Sequence, residues 1–270
     1  MLYEHSDDLD FFVVEREKRK RPVNMPDMHY HNYYEIYYLI SGKIRYFIGD
    51  HVYDVYPGDV VLIPPGTIHK TAKSADSPTD RLLIHFKKDF VEDDELLECF
   101  NVPKIPYVNV NNLIGLIEKE NAKKDDVFAK KLVRLYTKEL LALLSRYTRD
   151  NKIEENTEEI NTIIHEVTSF INENYMSELS LDFLAAKFAL SKSYFSRKFK
   201  SGTGICLKDY ITVVRIKNAE EMLLNTDLSV TAISGKCGFD NSCYFAAVFK
   251  KMKGMQPGKY RKLNRKKNGD

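Results

Sequence analysis

The sequence predicts an α+β chain: a small β-barrel or jelly roll with following helices, then an all-α domain with two helix-turn-helix units. Three observations predict it. Short apolar and aromatic runs, punctuated by Gly and Pro turns, fill residues 9–110. Near Asn111 the hydrophobic period changes from two to about 3.6. Leu181–Lys200 and Val230–Gly254, about fifty residues apart, then each read as a helix, a tight turn and a second helix. One such pair is common in any helical domain. Two in tandem are much harder to get by chance, and a helix of this kind fits the major groove of DNA.

The strand signals run in order. Tyr33–Ile40 is aromatic and β-branched almost throughout, and Lys43–Ile48 continues after Ser41-Gly42. Gly49-Asp50 makes a hairpin into His51–Tyr56; Val60–Ile63 lies between Pro57-Gly58-Asp59 and Pro64-Pro65-Gly66; Arg81–Phe86 closes the series. Helical spacing follows at Leu113, Leu116 and Ile117, and then over Val127–Tyr147. There Phe128, Leu132, Leu135, Tyr136, Leu140, Leu143 and Leu144 share a face. Polar, acidic Asp150–Thr157 is the best linker, and Ile160–Tyr175 leads into the first helix-turn-helix. The expected division is a barrel at 1–110, a helical dimerisation and linker region at 111–155, and a tandem helix-turn-helix domain at 156–270.

Charge is informative once it is divided. The chain of 270 residues carries a net +2, but Lys187–Asp270 holds 18 Lys and Arg against 6 Asp and Glu, a surplus of +12, leaving −10 for the rest. That places a nucleic-acid footprint in the last third. The positives there alternate with Tyr194, Phe195, Phe199, Tyr244, Phe245 and Phe249, which a disordered basic tail would lack. No run is apolar and long enough to span a bilayer, and MLYEHSDDLD does not read as a signal peptide, so a cytoplasmic protein without a membrane partner is expected. Cys99, Cys206, Cys237 and Cys243 have no zinc-finger spacing and read as free thiols. Arg16–Arg21 reads as a solvated charge run, and His5, His51, His85 and His165 as structural or solvated.

In the first helix-turn-helix, Ser191 is a natural N-cap, and Phe195 and Phe199 at i, i+4 face inward. This turns Lys192, Ser193, Ser196, Arg197 and Lys200 outward. Arg197 is the strongest base-contact candidate, because guanidinium matches guanine O6 and N7 with two hydrogen bonds. In the second unit Gly238-Phe239 makes the turn and Asp240 or Asn241 caps the last helix, while Ile205–Asn225 is a long helix joining the units. SKSYFSRKFK, TGICLKDYI, RIKNAEEMLL, GFDNSCYFAAVFKKMKG and QPGKYR together resemble the DNA-binding domain of the AraC family of bacterial transcription regulators, over about 100 residues from Glu173 onward. The resemblance implies groove-facing Lys192, Ser193, Ser196 and Arg197 in the first unit, and Asn241, Ser242, Cys243, Ala246 and Ala247 in the second. Such regulators often carry serine and arginine where this chain has Ala246 and Ala247. Alanine can meet only a thymine methyl, so the second helix is expected to act mainly on phosphates through Lys250, Lys251 and Lys253. Gly235 inside its supporting helix should make that unit the softer one.

Near the N-terminus His29, His31 and Glu35 stand as HxHxxxE, with Gly42 seven residues on, and Gly58, Pro64, Gly66 and His69 as Gx5PxGx2H. Strand parity puts His29, His31, Glu35, Tyr37 and Tyr33 on one face. The two motifs resemble the cupin fold over roughly residues 20–90, departing at Lys73, where cupins commonly place asparagine. Three imidazoles and a carboxylate suit a divalent metal at His29, His31, Glu35 and His69. The AraC resemblance instead implies a barrel that binds a small organic effector, a sugar or related metabolite, with His29, His31, Glu35, Tyr37 and His69 lining the pocket and no cofactor. Taken together the chain is expected to be no enzyme but an effector-responsive regulator of double-stranded DNA, homodimeric, with RNA polymerase as a further partner. Two rivals are a metal-dependent cupin enzyme and a constitutive DNA-binding protein whose barrel only dimerises.

Overall fold

The computed structural model describes residues 12–19, 28–72, 78–101, 103–123, 125–151 and 159–265. Lys73 and most of the 150–157 linker lie outside them, as do residues 20 and 21 of the basic cluster. The chain divides into two compact units, Met1–Thr157 and Glu158–Asp270.

The first unit contains strands β1 (Phe12–Arg19), β2 (Tyr34–Ser41), β3 (Ile44–Ile48), β4 (His51–Val55), β5 (Val60–Ile63), β6 (His69–Ala72), β7 (Thr79–Phe86) and β8 (Lys104–Ile105). They form a five-stranded sheet, in the order β1-β7-β2-β5-β8, and a three-stranded one, β4-β3-β6. Short helix α1 (Lys88–Val91) and a 3-10 turn at Glu95–Asn101 lead to α2 (Asn111–Asn121) and α3 (Val127–Asp150). The near-continuous apolar character of β2, β5 and β7 has a simple cause: the large sheet is buried on both faces. One parity (Tyr37, Leu39, Val61, Ile63 and Leu83) packs with Ile44, Tyr46 and Ile48 of the small sheet. The other (Ile36, Tyr38, Leu62, Ile84 and Phe86) shares a core with Leu113, Ile117, Val133, Leu140 and Leu144 of α2 and α3.

That shared core corrects the expected division, because residues 111–151 are not a separate segment but one layer of the first unit. It also corrects the apolar face assigned to α3. The helix buries Ala129, Val133, Thr137, Leu140, Leu141, Leu144 and Ser145, with the Thr137 hydroxyl donating to Val133 O at 2.8 Å. Phe128 and Leu135 are 71% and 60% exposed. Strand β1 was hidden in the sequence by its charge. Arg16, read as solvated, donates to Asp80 at 2.9 and 3.1 Å, and Glu17 accepts from the buried Arg81.

The second unit is all helix: α4 (Glu159–Asn174), α5 (Leu181–Lys187), α6 (Lys192–Thr203), α7 (Leu207–Asn225), α8 (Val230–Lys236), α9 (Ser242–Lys253) and α10 (Pro257–Arg265). Side-chain caps fix where they start. Ser180, Ser191, Ser229 and Asn241 each accept backbone N–H groups of the following first turn. Phe195 and Phe199 of α6 stack inward against Phe188 and Tyr210. Phe245 and Phe249 of α9 fill a second core with Ile216, Leu223, Ile233 and Cys237. The two helix-turn-helix bends use the same left-handed backbone at matched positions, Ala189 (φ 53°) and Gly238 (φ 77°).

Candidate nucleic-acid interface and effector pocket

With its phenylalanines buried, α6 exposes Lys192, Ser193, Ser196, Arg197 and Lys200 on one side, the set expected from the sequence. Among the described residues Arg197 makes one bond, Nε–H to Ser193 O at 3.2 Å on its own helix, and its outer guanidinium nitrogens have no partner. Lys192 pairs with Asp182 at 2.7 Å, both well exposed, a contact water and salt readily break.

Helix α9 is different. Asn241, expected both as a possible cap and as a groove-facing residue, accepts the N–H groups of Cys243 (2.8 Å) and Tyr244 (3.0 Å) with its side-chain oxygen, so it is the cap. Cys243, Tyr244 and Ala247 are exposed beside it, with Ser242 and Ala246 partly covered. Lys250 and Lys251 are exposed at the far end. Lys253, grouped with them from the sequence, is tied to Glu220 of α7 at 2.5 Å and largely buried.

In the first unit the two histidine motifs meet through the backbone. His29 and His69 form a β-bridge, N–H to carbonyl both ways at 3.2 and 2.9 Å, and Gly66 N–H donates to His31 O at 2.7 Å. Gly66 reaches that carbonyl from a left-handed turn (φ 76°), which is why the PxG of the second motif is a glycine. Ring nitrogens of His29, His31 and His69 lie within 4.8 Å of one another.

Glu35 does not complete that trio. One carboxylate oxygen takes His31 Nε2 at 3.2 Å and His85 Nε2 at 3.1 Å, and the other accepts the Tyr46 hydroxyl at 3.1 Å. Burial would raise this carboxyl, but the hydrogen bonds from His31 and His85 outweigh it and hold the group well below the usual carboxylate range. His31 Nδ1 faces Tyr33 O at 2.9 Å, a carbonyl that can only accept. Both ring nitrogens of His31 are therefore engaged, Nδ1 at Tyr33 O and Nε2 at Glu35.

His85 is therefore the residue sequence reasoning missed. Its signal was available, since it stands on β7 opposite Glu35 of β2 and shares its face, but only once the strand pairing is known. Tyr33 stacks on His31 with ring centres 3.8 Å apart. Tyr37 lies deeper, under the Arg81 guanidinium at 5.3 Å.

His69 is the converse of His31. Its Nδ1–H donates to Thr67 O at 2.8 Å, which leaves Nε2 as a bare acceptor. That atom is fully buried and has no partner among the described residues, as is true of Thr71 Oγ1 and Tyr37 Oη. Burial, reinforced by the neighbouring His29, pushes the His69 pKa down to about 3, so the ring stays neutral. Thr71 and His69 pair with Tyr46 and Ile48 on β3, which puts both on the inner face.

Comparison with known proteins agrees with both halves. Residues 16–132 match the family model of an AraC-like ligand binding domain, and residues 184–263 that of a helix-turn-helix domain. The chain is 27% identical to the Msm operon regulatory protein of Streptococcus mutans serotype c, over 85% of this chain and 84% of that one. It is 24% identical to the HTH-type transcriptional activator RhaR of Mannheimia succiniciproducens, over 92% and 91%. Among solved structures it is similar to ToxT from Vibrio cholerae O395, at 12% identity, a TM-score of 0.40 and coverage of 93% and 97%. The chain belongs to the AraC family of transcription regulators, with a ligand-binding domain followed by a helix-turn-helix DNA-binding domain.

Proposed function

We propose that the first unit binds a neutral polyhydroxylated effector of the sugar class around Tyr46, and that occupancy alters DNA binding by the second unit. One observation carries this reading: His69 Nε2, Thr71 Oγ1 and Tyr37 Oη are buried polar atoms with no partner among the described residues. Each such atom costs about 1–3 kcal/mol until something bonds to it. Together they offer an acceptor and two hydroxyls beside aromatic faces, the complement of a ring bearing several OH groups. The charged groups nearby are already engaged, Glu35 by His31, His85 and Tyr46, and Arg81 by Glu17.

A metal fits this set poorly. Ligand nitrogens at about 2.0–2.1 Å from a metal lie within about 4.2 Å of each other. Both His31 nitrogens already face Tyr33 O and Glu35, and the Glu35 oxygens are engaged by His31, His85 and Tyr46. The pocket therefore works without a cofactor, and the protein acts by binding, with no chemical step.

A thermal-shift panel of monosaccharides and polyols tests the reading. The effector should raise stability by RT ln(1 + [L]/Kd), about 2.7 kcal/mol at a hundredfold excess over Kd. His69→Leu and Thr71→Val should remove that gain while leaving DNA binding intact. Normal effector binding by both variants, or stoichiometric metal lost with His69→Leu, would overturn it.

The same proposal places the protein in the cytoplasm, where DNA and RNA polymerase are its partners. Among the described residues no helix is long and apolar enough to cross a membrane. It also makes the chain a homodimer through the exposed Val127, Phe128 and Leu135 of α3. Leu135→Lys should shift sedimentation equilibrium toward monomer at micromolar concentration; an unchanged dimer would exclude this face.

A further inference from the structure

The two helix-turn-helix units have separate aromatic cores, so something must fix their mutual geometry. One side chain that spans them is Arg215, on the α7 rod. Its Nε–H donates to Tyr175 O at 2.9 Å and its Nη2 to Ser177 O at 2.8 Å. Both carbonyls lie just past the C-terminus of α4, where a cation is favoured by the helix dipole, and directly before α5. The other side of the guanidinium meets the second unit. Its centre stands 5.8 Å from the Phe239 ring, in cation–π range, and it packs over Gly238. A Cβ built on Gly238 would come within 2.8 Å of Tyr175 O and 2.9 Å of Arg215 Cζ. Three segments thus touch at one point: the end of α4, the middle of α7 and the turn before α9. Tyr175 itself packs into the second aromatic core.

We propose that Arg215 is a positioning residue for DNA recognition: it sets the separation of α6 and α9, and so the spacing at which the protein accepts two successive major-groove segments. The guanidinium is committed to two backbone carbonyls and an aromatic face, so it acts through the joint and not on DNA. Its planar fork makes both bonds at once, which a lysine ammonium on a flexible stem does less well. Groove segments on one face of a duplex recur about every helical turn, so a recognition pair held rigidly reads spacing as sharply as sequence. With the joint loosened, α6 and α9 would still each meet a groove, but the pair would no longer insist on one separation.

The test uses the full chain and a duplex selected by that chain from a random library, with the two protected segments mapped by chemical footprinting. Versions with one base pair inserted or removed between the segments are then compared. The wild-type chain should lose about tenfold or more in affinity for each, the scale of a specific-contact mismatch. Arg215→Met should bind the optimal duplex about tenfold more weakly but distinguish the spacing variants by less than about threefold. Its affinity for random DNA and the slope of affinity with salt should be unchanged. Arg215→Lys should lie between the two. Gly238→Ala, which presses on the joint from the other side, should also change the preferred spacing.

Unchanged spacing discrimination in Arg215→Met would overturn the proposal. An equal loss on random DNA with a shallower salt slope would make Arg215 a phosphate contact instead. Loss of folding in Arg215→Met, Arg215→Lys and Gly238→Ala alike would assign the residue to stability alone and equally overturn it.

Discussion

At the scale of single residues, exposure and spent hydrogen bonds decide what each recognition side chain can do. Among the described residues the outer nitrogens of Arg197 have no partner, whereas the side-chain oxygen of Asn241 serves a cap. Arg197→Ala should therefore weaken binding to a selected operator by about 1–3 kcal/mol and relax preference at one base pair. Lys251→Ala should weaken specific and random duplexes alike. Competition binding on both DNA types checks this, and an Arg197→Ala loss that is equal on both would make Arg197 a phosphate contact. Most of the α6 surface was legible beforehand, because Phe195 and Phe199 at helical spacing fix what must point outward. Asn241 was legible in part: the sequence offered it both as a cap, beside Asp240, and as a groove-facing residue, and the N–H groups of Cys243 and Tyr244 that it accepts show the cap. His85 was hidden. Its partner, Glu35, is fifty residues away and reaches it through strand pairing.

Among elements, the two helix-turn-helix units show how one backbone shape is met by different residues. The bend needs a left-handed residue, supplied by Ala189 in the first unit and Gly238 in the second. Alanine bears a steric cost there of about 1 kcal/mol or somewhat more, which glycine avoids at the expense of chain entropy. In the second unit no such exchange is open, since Tyr175 O and Arg215 crowd the place a Cβ would take. Ala189→Gly should accordingly be close to neutral or stabilising, within about 1 kcal/mol. Gly238→Ala should destabilise by more, and chemical denaturation of the two variants compares them; a destabilising Ala189→Gly with a harmless Gly238→Ala would contradict this account. The strands show where pattern reading runs out. β2, β5 and β7 were plain as apolar runs. β1 was concealed because its inner positions carry Glu17 and Arg19, which satisfy Arg81 and each other instead of packing as hydrocarbon. The face of α3 was misjudged because both its sides carry leucines, and the sequence does not say which side meets the sheet.

For the whole molecule, charge and core placement separate the two tasks. The surplus of +12 lies within Lys187–Asp270, and the histidine–carboxylate cluster lies within the first unit, which has its own two hydrophobic layers. An effector proposed to bind there would shift DNA binding only by interacting differently with two states of the chain. The division of labour was legible from the charge asymmetry and the change of period near Asn111. Membership of α2 and α3 in the first core was not, because their apolar faces fit a partner chain as well as a sheet. The most direct test of the account is DNA binding by residues 158–270 alone, the second compact unit, beside the full chain, titrated across salt concentration. The fragment should bind duplex DNA without the first unit. The logarithm of its affinity should fall linearly with the logarithm of salt, by about 0.9 for each phosphate neutralised. A fragment that folds, by circular dichroism, yet shows no salt-sensitive binding to any duplex would contradict it.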